Sequence, residues 1–198
     1  MGAIRKRVVS TVAIYLSLFV WMHAEGATES PLRLDVYDYV GVAQDVRVAA
    51  AEVTRHVYAA IGVDVVWVDR CPVACHIAFS REAETDTTRG NLMVTILPDT
   101  MASREFPAAA MGAAPEEGYV AYAFFDRIRA AAFYRDLSLA TMLGHVIAHE
   151  VGHLLLREAH APVGLMRAKW VDGDLLQAKR GRFGFTATQG RRIRSRLE

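Results

Sequence analysis

Hydrophobic and polar positions along this 198-residue chain change period several times, and each change marks an expected element. From Leu32 to Val40 (LRLDVYDYV) apolar and polar residues alternate among strand formers, which predicts a β-strand. Between Asp45 and Ile61 the apolar positions Val46, Val48, Ala49, Val53, Val57 and Ile61 recur at helical spacing, and Gly62 supplies a stop. Strand character returns in Val63 to Asp69 (VDVVWVD) and again in Asn91 to Pro98 (NLMVTILP), an order that reads as a βαβ-type opening. Ala108 to Gly118, rich in Ala and Gly with Pro115 and two glutamates, reads as a loop. Tyr119 to Ile128 (YVAYAFFDRI) has the aromatic and β-branched content of a further strand. From Ser138 onward, Leu139, Met142, Leu143, Val146, Ile147 and Leu154 form the buried stripe of a long helix. A short helix is expected near Asp172 to Ala178 with Gly181 as its stop. Thr186 and Gln189, at capping-box spacing, open a last helix that ends at Leu197.

Composition narrows the class. With 53% hydrophobic residues and no internal repeat or low-complexity linker, residues 27–198 are expected to form one domain with a true core. Residues 1–26 have the layout of a cleaved signal peptide: Arg5, Lys6 and Arg7 precede the apolar run Val8 to Met22, and the small residues Ala24 and Gly26 fit a cleavage site. The run is shorter than the roughly 20 residues of a membrane-spanning helix, so membrane contact is expected only through an uncleaved leader, and the mature chain is expected to be secreted or periplasmic. Loss of those three cations turns the formal charge of +1 mildly negative, which argues against nucleic acid as a partner. The C-terminal cations Lys179, Arg180, Arg182, Arg191, Arg192, Arg194 and Arg196 read as a solvated face. Cys71 and Cys75 are the only cysteines; in an exported chain a disulfide is favoured over two free thiols or soft metal ligands.

The chemistry concentrates in His149 to His160, HEVGHLLLREAH. Residues four apart share one face of a helix, so His149 and His153 can offer two imidazole nitrogens to one metal ion with Glu150 beside them. A catalytic zinc takes three protein ligands and a water, and His160, seven residues after His153, is the expected third ligand. Glu150 is the expected general base, accepting a proton from the water and passing it to a leaving amine. Glu158, Asp172 and Asp174 also follow the motif, and a carboxylate among them is an alternative third ligand. His145, one turn before His149, is expected in a packing or supporting role, because a fourth histidine would close the catalytic position.

HEVGHLLLREAH followed by GLM at Gly164 to Met166 resembles the metzincin-type zinc metallopeptidases, and the wider block beginning GHVIAHEVGHLLL is similar to small secreted bacterial proteins of that type. The resemblance implies an α+β fold: a single domain with a mixed twisted sheet packed on a long N-terminal helix and an active-site helix, followed by a small, mostly helical C-terminal part. It implies zinc, a peptide or protein substrate, hydrolysis of peptide bonds, and a supporting role for Met166 in a tight turn beneath the metal. It also implies a strand edge that pairs with extended substrate, for which Tyr119 to Ile128 is the candidate. The chain departs from the family pattern HExxHxxGxxH: Leu156 stands at the glycine position, and the third histidine arrives one residue late. In the secreted relatives a glycine ends the helix just after HLLL, where this chain has Arg157. The departures keep a second reading open, a catalytically silent zinc-binding domain used for partner binding.

Overall fold

A computed structural model describes residues 31–70, 91–102, 106–115 and 118–198. Residues 1–26, read as a signal peptide, and Cys71 and Cys75, read as a disulfide, lie outside the described residues.

The alternation at the start of the domain produces β1 (Leu32–Asp38), whose Leu32, Leu34 and Val36 are fully buried on one face. The helical spacing that follows gives α1 (Gln44–Ala59), and β2 (Val65–Arg70) pairs parallel to β1, with α1 as the crossover. β3 (Asn91–Leu97) lies on the other side of β1, also parallel. β5 (Val120–Phe124) joins β3 in parallel, and the two-residue β4 (Gly112–Ala113) pairs antiparallel with β5. The sheet is therefore mixed, in the order β2-β1-β3-β5-β4.

Two expectations need correction. The strand read through Ile128 ends at Phe124, and α2 (Phe125–Tyr134) begins at the next residue. Phe125, Ile128 and Ala132 are its buried positions, at helical spacing, so the consecutive aromatics Phe124 and Phe125 straddle a change of element. β5 is also an interior strand, paired with β4 at Tyr122 and Ala123, so among the described residues the edge on this side of the sheet belongs to the segment read as loop.

α3 (Leu139–Leu156) is the central helix. Ser138 caps it by accepting from the Thr141 N–H at 3.0 Å. By length and composition it is apolar enough to cross a membrane, but most of it is buried inside the protein, which is why its apolar residues extend all round. It packs closely on α1 at Gly144, where a Cβ would stand 2.6 Å from the Ala50 carbonyl oxygen. α4 (Asp172–Lys179) and α5 (Ala187–Leu197) complete the small helical C-terminal part. The capping box expected at Thr186 and Gln189 is formed, and Ile193 and Leu197 anchor α5 in the core.

A candidate metal centre at the end of the central helix

His149 and His153 occupy one face of the last two turns of α3, four residues apart. Their ring orientations are fixed by backbone carbonyls: His149 Nδ1 lies 2.7 Å from the Leu165 oxygen, and His153 Nδ1 lies 2.9 Å from the Glu158 oxygen. A carbonyl only accepts, so each Nδ1 must carry the proton, and in a neutral ring each Nε2 then presents a lone pair. The two Nε2 atoms face each other at 3.1 Å. Opposed lone pairs at that distance repel unless a cation lies between them, and two nitrogens on one tetrahedral zinc would stand about 3.3 Å apart.

His160 joins them. One ring nitrogen from each of His149, His153 and His160 lies within 4.8 Å of the others, and these three are the group suited to a metal ion among the described residues. The chain returns to the helix through a closed turn in which the Ala161 N–H donates to the Met166 oxygen at 2.8 Å and Gly164 takes a positive φ of 74°. This turn also aims the Leu165 carbonyl at His149. Trp170 Nε1 donates to the same oxygen at 3.0 Å, so the indole steadies the acceptor as well as lining the cleft. Met166 is buried beneath the helix against Gly152, where a Cβ would meet its sulfur at 2.7 Å. The three-imidazole set, with both helical rings held by outer hydrogen bonds, fits zinc binding.

The alternative carboxylates are engaged elsewhere. Asp172 pairs with Arg135, Asp174 with Arg167, and Glu158 with Arg192. His145 stands outside the ligand group: its Nδ1 lies 2.7 Å from the Thr141 oxygen and its ring packs against Phe183 and Trp170.

The missing glycine is accommodated rather than bypassed. Arg157 itself adopts the left-handed conformation, φ 50° and ψ 45°, and its N–H donates to the His153 oxygen at 2.8 Å. The helix thus ends at the position where the resemblance expects glycine, at a steric cost borne by an arginine.

Glu150 points to the side of the histidines beneath β4. A Cβ on Gly112 would fall 2.6 Å from Glu150 Oε1, so with glycine there the carboxyl keeps its present position. Among the described residues, no hydrogen bond or ion pair holds that carboxyl, and burial pushes its pKa up to about 8. Burial also lowers His149 to about 4, opposed by the Leu165 hydrogen bond, and lowers His153. Both rings are neutral at pH 7, the form that ligates. The group opens into a cleft of about 850 Å³ lined by Met111, Gly112, Ala131, Val146 and Trp170 among others.

No family model and no curated protein matches the sequence. Among solved structures, the chain is similar to a zinc-dependent peptidase from Methanocorpusculum labreanum (strain Z), with a TM-score of 0.52 and 16% sequence identity over 81% of this chain and 98% of that one. At that identity the likeness establishes a shared α+β fold.

Several supporting groups left no trace in the sequence. The Leu165 and Glu158 carbonyls act through the backbone, which every residue has. Gly112 stood in an Ala- and Gly-rich run with nothing to single it out.

Proposed function

We propose that the chain is an exported zinc-dependent endopeptidase. The reading is carried by the opposed Nε2 atoms of His149 and His153, their Nδ1 protons committed to carbonyls, beside the largely buried Glu150 in an open cleft. His149, His153 and His160 would hold the ion, and Met166 would support them from below. When bound, zinc acidifies a water and polarises the scissile carbonyl. Glu150 would take a proton from water at the site and return it to the departing amine, a role its place beside the three histidines allows. The cleft walls would orient the peptide. The solved relative's description as a zinc-dependent peptidase supports this reading. Export rests on the N-terminal sequence pattern.

The silent-domain alternative draws on the departures at Leu156 and Arg157. Arg157 makes the helix-ending turn without glycine, and Glu150 stands beside the three histidines in an open cleft. The test is cleavage of a broad peptide library by zinc-loaded protein and by Glu150→Gln at equal zinc content. The proposal expects cleavage by the first and loss of at least a hundredfold, about 2.7 kcal/mol, in the second. Equal cleavage by both removes Glu150 as the base; zinc binding with no cleavage by either favours the silent domain.

A further inference from the structure

We infer that Arg192, far from the motif on α5, is a positioning residue for the metal centre, acting through Glu158 on His153. The inference rests on the metal-centre reading above.

The strained residue Arg157 separates two groups that must stay in register with the metal face. Before it stands Leu156, whose carbonyl ends α3; after it stands Glu158, whose carbonyl accepts from His153 Nδ1 at 2.9 Å. An arginine in the left-handed region does not hold such a turn by its own preference, as glycine would. The guanidinium of Arg192 supplies the hold from outside. One of its nitrogens lies 3.5 Å from the Leu156 oxygen, and the other pairs with the Glu158 carboxylate. A single planar fork thus spans the turn on both sides of Arg157, a geometry lysine cannot copy.

The fork has a fixed base. α5 is seated by its capping box, by buried Ile193 and Leu197, by Gly190 packed on Ile61, and by Arg194, which donates to the Ile61 oxygen at 2.6 Å. Arg192 and Arg194 are therefore structural members of a face that the sequence pattern reads as merely solvated. As an exposed ion pair the Arg192–Glu158 contact would contribute little to stability. Its effect lies in the outer hydrogen bond of a ligating histidine, where loss of the partner typically weakens metal affinity ten- to a hundredfold.

The test uses the full chain with Arg192→Ala, Arg192→Lys, Glu158→Ala, the Arg192→Ala/Glu158→Ala double variant, and Arg191→Ala as a neighbouring surface control. Zinc affinity is read by chelator competition, and the site's geometry by the visible spectrum of the cobalt-loaded protein. Arg192→Ala is expected to bind zinc about tenfold more weakly with an altered cobalt spectrum, Arg192→Lys to fall between it and wild type, and the double variant to be no worse than either single. Arg191→Ala should match wild type. In the metal-free protein, nitrogen NMR of the His153 ring should show a proton on Nδ1 in wild type and mixed tautomers in Arg192→Ala. An unchanged His153 tautomer in Arg192→Ala overturns the clasp, as does an affinity loss matched by Arg191→Ala. Failure of the wild type to bind zinc would overturn the metal-centre reading alone, and the NMR result would still decide the clasp.

Discussion

An arginine at φ 50° is the least expected residue of this site, and its cost is local and measurable. The left-handed region crowds the Cβ of Arg157 against its own backbone, and glycine removes that clash while adding freedom to the unfolded chain. Arg157→Gly is expected to stabilise the fold by about 1 kcal/mol net, seen as a higher urea midpoint at unchanged slope. A lower midpoint would mean that the arginine side chain itself holds the turn. The three histidines that the fold brings together are the most legible residues: helix geometry singles out His149 and His153, with Glu150 between them, and His160 follows by proximity in sequence. The carbonyls that set their tautomers are invisible at this scale, because acceptors at Glu158 and Leu165 depend on where a turn folds back and not on side-chain identity.

Elements with a long period were legible and those without one were not. The alternation of β1, the stripe of α3 and the capping box of α5 were each strong enough to place an element within a few residues. β4 has two residues, too few for any periodicity, and α2 was masked because Phe124 and Phe125 suit a strand as well as a helix. The overlooked β4 has a functional consequence, since it forms the roof over Glu150. Gly112→Ala inserts a methyl 2.6 Å from Glu150 Oε1 and Cγ, which displaces the proposed base while leaving the three histidines alone. Turnover should fall on the order of a hundredfold with zinc content unchanged. Parallel loss of zinc would show that β4 supports the ligands instead. Beneath the helix, Gly152→Ala drives a methyl within 2.8 Å of Met166 and Phe185, and overpacking there should cost about 1–3 kcal/mol in denaturant unfolding.

For the whole molecule, burying the site couples its protonation to folding. In the metal-free protein Glu150 titrates near 8 when folded and at its ordinary 4.5 when unfolded. Between those values the folded chain keeps a proton that the unfolded chain has released, so stability falls as pH rises from 4.5 and the loss is complete above 8. His149 works in the opposite direction: its folded value of about 4 makes stability fall as pH drops from 6.5. Glu150→Gln should therefore match wild type near pH 4 and gain on the order of a few kcal/mol over it by pH 8, measured by urea unfolding in chelator. A constant difference across pH would place the carboxyl in water. Such coupling is what a domain shows when its central helix, largely buried, also bears titratable groups at its end. The central claim is the three-histidine centre itself, and zinc-edge X-ray absorption of the zinc-loaded full chain tests it most directly. The account predicts one zinc per chain with three imidazole nitrogens at roughly 2.0–2.1 Å and one further oxygen. Two imidazoles with a protein carboxylate, or four imidazoles and no oxygen, would contradict it.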